Sequence, residues 1–414
     1  MSGEPLYFEN VANKKWVPVG FQTPLPVRLT GGGQVSQFGE VSTVKRTPII
    51  ELNSSYGPSL LRDSTTVTGS GDISKAASGE ILLSTGATSS STTDLESAAV
   101  GRYIPGYGAE VGIGVRIPTA PTGNIEARFG GRTVDKNNGF YFLNNASGLN
   151  VVYESGGVET TVAQTDWNID KVDGSGPSGF TLDLTAGNIF QIEYTWYGYG
   201  QVLFGVVATF NNSQRFIPCH SLRVTGSTSI QSPNLRVFTE TLNGADSVDF
   251  DIYVGGRQYS IVGDYIPKVR FTGQSFSGVA TSTTATTNPL VSFRTKTAFR
   301  DRGLIVGGYT IKPVTEDCIV EVYLNATLTG ASWATPTNAT AAETAVEADI
   351  SATSFSGGTL IHSEFHASGQ ANQGLTSGIT LDIDIPEQQP ITLAVRTLSG
   401  TGTASGILRI REEW

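Results

Sequence analysis

Short runs of alternating apolar and polar residues recur along most of this chain, and they define its predicted elements. In Gln191–Trp196, Ile192, Tyr194 and Trp196 share one face while Glu193 and Thr195 share the other. A period of two marks a half-buried strand. After Tyr197-Gly-Tyr-Gly the alternation resumes in Val202, Phe204 and Val206, so the two runs predict a hairpin. Phe250, Ile252 and Val254 alternate with Asp249, Asp251 and Tyr253 and end at Gly255-Gly256. Further strands are predicted at Glu80–Leu83, Glu110–Ile117, Ile125–Phe129, Gly139–Leu143 and Leu149–Tyr153. Many short strands between Gly-rich turns predict a jelly roll or β-sandwich over residues 76–267.

Two segments break this pattern. Residues 1–75 carry prolines at 5, 18, 24, 26, 48 and 58, each of which removes a ladder donor. They also carry Tyr7, Phe8, Trp16, Phe21 and Phe38, more aromatics than a disordered tail holds. The prediction is an extended anchoring arm that docks on its own body or on a neighbouring subunit. Residues 268–288 hold a low-charge Ser/Thr tract and read as a linker. Beyond it, alternation returns in Leu290–Lys296, Leu304–Lys312, Cys318–Leu324, Leu381–Ile385, Ile391–Arg396 and Leu408–Arg411, which predicts a smaller antiparallel β-sandwich over 289–414. Only Ala341–Ala348 has helical composition, and it is too short to set the fold. The fold class is therefore all-β.

Composition agrees. Charged residues are 15% of the chain, against a typical quarter, and 49 glycines supply turns. The net charge of -10 and a pI near 4.9 leave no basic face to displace counterions, so nucleic acid and anionic membranes are not expected partners. No apolar run approaches the roughly 20 residues that span a bilayer, and the N-terminus lacks the pattern of a secretion signal, so a soluble protein is expected.

The search for chemistry returns little. Nucleophile-elbow, Walker-type, His-Glu-x-x-His and EF-hand patterns are absent from the sequence. Cys219 and Cys318 read as two buried free thiols, the alternative being a disulfide that links two domains, and His220 beside Cys219 points to the opposite face of a strand. His362, Glu364 and His366 would share one strand face, a set that suits a transition metal. Their spacing of roughly 6.5–7 Å on a flat strand is wide for one ion, so a polar surface with Ile361 and Phe365 turned inward is favoured. Asp249 with Asp251, and Asp382 with Asp384, are same-face acidic pairs that read as the wet side of strands. Trp196 reads as core, while Tyr197 and Tyr199 in the turn are free to contact a ligand. No catalytic, cofactor or metal residues are assigned, no cofactor is expected, and the chain is read as a non-enzyme.

Several stretches carry a resemblance. They are Gly101-Arg-Tyr-Ile-Pro-Gly-Tyr-Gly, Asp135-Lys-Asn-Asn-Gly-Phe-Tyr-Phe, Asp173-Gly-Ser-Gly-Pro-Ser-Gly-Phe-Thr-Leu-Asp, Tyr194-Thr-Trp-Tyr-Gly-Tyr-Gly and Val254-Gly-Gly-Arg-Gln-Tyr-Ser. Together they resemble virion structural proteins of tailed bacteriophages, of fibre, spike or head-decoration type. Ile391-Thr-Leu-Ala-Val-Arg-Thr-Leu-Ser-Gly with Ile407-Leu-Arg-Ile-Arg-Glu-Glu-Trp looks like their last hairpin, and Thr23-Pro-Leu-Pro-Val-Arg-Leu like their anchoring strand. The resemblance implies a concanavalin-like jelly roll and a homo-oligomer, often a trimer, within the virion. Its implied partners are capsid, neck or tail proteins. The expected role is a structural surface component attached through the arm. The alternatives are a lectin-like adhesin for host-surface glycans and a glycan hydrolase on a β-sandwich.

Overall fold

The computed structural model describes residues 7–10, 15–18, 46–210, 213–223, 228–266, 269–300, 303–368, 381–384 and 389–413. The chain divides into two contact units, Met1–Thr43 and Val44–Trp414. In the first, Tyr7–Asn10 pairs antiparallel with Lys15–Pro18. Phe21, Phe38 and the stretch 23–29 of the predicted arm lie outside the described residues.

The second unit holds two β-sandwiches. One sheet of the first has seven strands, in the order Val158–Ala163, Gly148–Ser155, Gly139–Asn145, Glu126–Arg132, Arg236–Leu242, Thr92–Ser97 and Asp63–Thr68. Its partner runs Ser213–Arg223, Gln201–Phe210, Asn188–Tyr194, Gly108–Arg116, Asp251–Val262, Ile81–Ser84 and Asp72–Lys75. An eighth strand, Arg46–Leu52, pairs with the second half of Asp251–Val262. Between the sheets, Phe129, Phe142 and Phe190 pack with ring centroids 4.7–5.7 Å apart. Tyr194 and Tyr259 are fully buried and share a hydroxyl contact of 3.0 Å. The predicted hairpin is present, with Tyr194 opposite Val202, and Ile192, Tyr194, Phe250, Ile252 and Val254 face this core.

The second sandwich stacks two sheets. One is Val269–Thr283, Thr401–Glu413, Gly303–Pro313 and Leu381–Asp384; the other is Val346–Asp349, Asn288–Thr295, Ile391–Thr397, Cys318–Leu324 and Thr359–His366. Val291, Phe293, Tyr309, Val320, Leu393 and Leu408 fill the space between them.

Three sequence readings need correction. Residues 46–75 are not arm: they form Arg46–Leu52, Asp63–Thr68 and Asp72–Lys75 of the first sandwich. Pro48 is accommodated because its strand is an edge and the register shifts there, between Tyr259 and Ser260 of the partner. Residues 269–283 are not linker but a fifteen-residue strand lying along Thr401–Glu413. Its threonines mimic linker composition, yet a β-branched side chain suits a pleated surface. Ala341–Ala348 contributes no helix; its second half enters the strand Val346–Asp349.

Candidate functional site

On the eight-stranded sheet, the face turned away from the core carries an open groove of about 670 Å³. Its floor is free of side chains at Gly114 and Gly255-Gly256, while the Gln258 side chain lies over Gly112, its Nε2 2.8 Å from where a Cβ would stand. On Gly108–Arg116 the outward positions after Glu110 are Gly112 and Gly114, and the neighbouring strand is interrupted by Gly255-Gly256, where the register slips between Val254 and Arg257. A Cβ on Gly114 would meet nothing closer than 3.5 Å, the Cα of Gly255, and one on Gly256 nothing closer than 4.0 Å. Two adjacent strands thus expose bare backbone along the groove. Ile189 and Val207 give it an apolar wall.

One end is polar. Glu110 is 1% exposed and accepts from Gln191 Nε2 at 2.9 Å and Gln258 Nε2 at 2.6 Å. Arg46 Nη2 stands 2.8 Å from Glu110 Oε2. Gln191 Nε2 also donates to Glu193 Oε1 at 2.6 Å. Register explains the cluster: Glu193 lies opposite Glu110, Gln191 opposite Gly112, and Gln258 opposite Gly112 from the other side. Burial pushes the Glu110 carboxyl up to about 7, against the pull of Arg46 and with a further push from Glu193. Burial raises Glu193 as well, while the Gln191 amide opposes the rise. The arrangement offers fixed acceptors and amide donors beside an apolar wall, which is chemistry for holding a polyhydroxylated ligand.

The residues singled out from the sequence lie elsewhere. Asp249 Oδ1 accepts from Ser84 Oγ at 2.7 Å and from the Gly86 amide at 3.0 Å, so it fastens a turn. The side chains of Asp382 and Asp384 lie outside the described residues. Trp196 packs against the core and donates to the Ile230 carbonyl at 3.0 Å, whereas Tyr197 and Tyr199 are 52% and 66% exposed. Cys219 and Cys318 are both free and buried. His220 Nδ1 accepts from the Asn168 amide at 3.3 Å rather than pairing with Cys219.

His362, Glu364 and His366 do share a strand face, with the two histidines largely covered and Glu364 44% exposed, and Ile361 packs against the core as read. His366 is 4% exposed and Phe365 is 57% exposed, the reverse of the favoured reading for Phe365. The cause is Tyr309 on the facing sheet, whose hydroxyl donates to Glu364 Oε2 at 2.8 Å. Each histidine Nε2 stops 3.6–3.7 Å from that same oxygen. Among the described residues no group of three His, Cys, Asp or Glu side chains is placed to hold a metal.

Sequence reasoning missed Arg46, Gln191 and Gln258, and took Glu110 and Glu193 only as strand positions. Outward polar residues on a half-buried strand look like a solvated face. The signal that was present is the pair of glycines at alternate outward positions, Gly112 and Gly114, beside Gly255-Gly256.

No protein-family model matches the chain, and no curated protein matches it. Solved structures with a similar fold include the Emp47p carbohydrate recognition domain, at 13% identity and a TM-score of 0.31, covering 53% of this chain and 100% of that one. The Bacillus licheniformis β-glucanase is similar at 13% identity and a TM-score of 0.32, over 50% of this chain and 97% of its own. The carbohydrate esterase vb_24B_21 from the Shiga toxin-encoding bacteriophage phi24B is similar at 15% identity and a TM-score of 0.34, over 53% of this chain and 100% of its own. With TM-scores this low, these likenesses carry no weight for a site or a role.

Proposed function

We propose that this chain is a carbohydrate-binding β-sandwich protein and that the groove on the eight-stranded sheet is its glycan site. The observation that carries the reading is the side-chain-free floor at Gly114 and Gly256, beside the Glu110–Gln191–Gln258 cluster. Sugar rings need a flat surface to lie on and planar amide or carboxylate groups to receive their hydroxyls, and such a groove offers both. The groove is read as binding rather than catalytic. Both Glu110 oxygens are held by N–H donors of Gln191, Gln258 or Arg46, which leaves that carboxylate no free role as a proton donor. A place on the surface of a virus particle rests on the sequence resemblance. The separate contact unit Met1–Thr43 suits attachment to such a particle.

Gly114→Val tests the site. A Cβ there is unhindered, so the valine side chain projects into the groove without straining the sheet. A glycan array on the full chain is expected to show binding that Gly114→Val weakens about tenfold or more, a loss of about 1.4 kcal/mol. A wild-type chain that retains nothing on the array would sink the reading, and so would a variant that binds as well as wild type.

A further inference from the structure

We propose that the groove, read as a glycan site, takes an internal stretch of a linear, unbranched polysaccharide laid across the strands, rather than a single terminal sugar. The inference rests on the glycan reading above and names the ligand class.

Register sets the direction. Val207 stands opposite Ile189, and Ile189 opposite Gly114. Gly114 in turn faces the Gly255-Gly256 bulge, since Val115 pairs with Val254 and Ile113 with Arg257. Residues in register lie on a line perpendicular to the strands, so these positions form one low row across four neighbouring strands.

The rows on either side are raised. On one side Gly205, Gln191, Gly112 and Gln258 are in register. There the Phe216 ring covers Gly205 and the Gln258 side chain covers Gly112. On the other side Arg116 lies 3.9 Å over the Tyr253 ring and is held by Glu80 at 2.7 Å. Measured along Gly108–Arg116, from Gly112 to Arg116, the raised rows are roughly 13 Å apart at the backbone. With their side chains in place, that width suits one sugar ring and leaves no room for a branch.

The length is greater. The lining comes from six strands: Gln214 on Ser213–Arg223, then the four strands of the low row, then Glu51 on Arg46–Leu52. Five strand spacings make about 24 Å, and linked pyranose rings in an extended chain advance by about one spacing each, so the trough seats about four or five rings. Ile189, 41% exposed, offers an apolar surface to the C–H face of a ring, and the bare backbone at Gly114 and Gly256 lets the next rings lie close. Among the described residues neither end is closed: Gln214 at one end, and Glu51 and Asn53 at the other, are exposed. A chain can therefore enter at one end and leave at the other, and no terminal sugar is required.

The experiment places the full chain on an array of linear glucans, xylans and N-acetylglucosamine chains, each at graded lengths from the single sugar upwards, beside branched glycans. Single sugars and disaccharides are expected to give little signal, with binding to at least one linear series rising to a plateau near about four or five units. Gly256→Val and Gln214→Ala, on opposite sides of the row, are expected to weaken the longest chains of that series about tenfold and about threefold. Binding to a single sugar or disaccharide as strong as to long chains, or binding confined to branched glycans, overturns the linear-chain claim while leaving the glycan reading in place. A loss confined to one of the two variants overturns the crossing of the strands. Binding to no glycan overturns both readings. Should Gly256→Val fail to fold, the length series decides alone.

Discussion

Arg257 and Asp63 meet at 2.7 Å with side chains only 1% and 4% exposed, and they come from opposite sheets of the first sandwich. Asp63 Oδ2 also accepts the Ser59 amide at 2.7 Å, while Arg257 Nε and Nη1 have no hydrogen-bond partner. Burial lowers the Arg257 pKa and the Asp63 carboxylate opposes that fall. A buried pair of this kind gives little net stability, but breaking it strands a charge. Asp63→Asn is therefore expected to cost about 3–5 kcal/mol in urea unfolding. Asp63→Leu combined with Arg257→Met is expected to recover most of that loss. A single-variant cost under about 1 kcal/mol would contradict the stranded-charge account.

Glu110 makes stability depend on pH in a defined direction. Its carboxyl is raised from an ordinary 4.5 to about 7, chiefly by burial. A raised carboxyl favours the folded state while protonated. Its contribution is full below the unfolded value and is lost as pH rises through the folded one. Glu110→Gln cannot ionise, so its stability relative to wild type should grow between about pH 4.5 and 7, by at most about 3 kcal/mol. Lost or gained amide contacts shift the whole curve without tilting it. Melting temperatures of both proteins across this range give the slope, and a constant difference would contradict the prediction.

How much of this was legible in the sequence depends on whether one face of a strand is buried. Ile192–Tyr194 and Phe250–Val254 announced themselves because the core fixes alternate residues, and both stand as read. The Val269–Thr283 strand did not, because threonine carries a β-branched shape that fits a pleat and a polarity that suits a linker. Arg46–Leu52 was hidden by Pro48, which only an edge with a register shift admits. The groove was hidden for a different reason. Glu110, Gln191 and Gln258 lie far apart in sequence, and nothing local distinguishes them from ordinary outward residues. Arg257 and Asp63, 194 positions apart, offer no local signal either.

Arg132 organises the outward face of the seven-stranded sheet. Its guanidinium bonds Asp94 and, at 2.8 Å, Glu96, approaches Glu240 at 3.3 Å, and lies 4.0 Å over the Phe238 ring. Arg236 and Lys136 complete the network through Glu96 and Asp94. Burial raises Asp94 to about 6 even so, with Arg132 opposing and Glu96 and Glu240 adding to the rise. Arg132→Met leaves three carboxylates with two cations and should cost about 3–5 kcal/mol near neutral pH. Without Arg132 the Asp94 carboxyl loses the pull that opposes its rise, so the variant gains more than wild type when Asp94 is protonated and the deficit should shrink as pH falls below about 6. Urea unfolding of variant and wild type at neutral and acid pH checks this; a deficit that stays constant or deepens in acid would rule it out.

Gly101 is held where no side chain fits. Its amide donates to the Leu235 carbonyl at 2.8 Å and its carbonyl accepts the Leu235 amide at 3.0 Å, so the backbone cannot drift. A Cβ at this position would fall within the contact distance of the Tyr259 ring. That ring has no exit, being fully buried and bound through its hydroxyl to Tyr194, whose hydroxyl donates in turn to the Pro233 carbonyl at 2.8 Å. Gly101→Ala must displace either the bridge or the tyrosine pair, and overpacking of this kind costs about 1–3 kcal/mol. Gly114→Val, on the open face of the same sandwich, adds a larger side chain where nothing is crowded and should stay within about 0.5 kcal/mol of wild type. Urea unfolding of the two variants side by side separates close approach from a general intolerance of the sheets to added bulk: equal losses would show that Gly101 is not special.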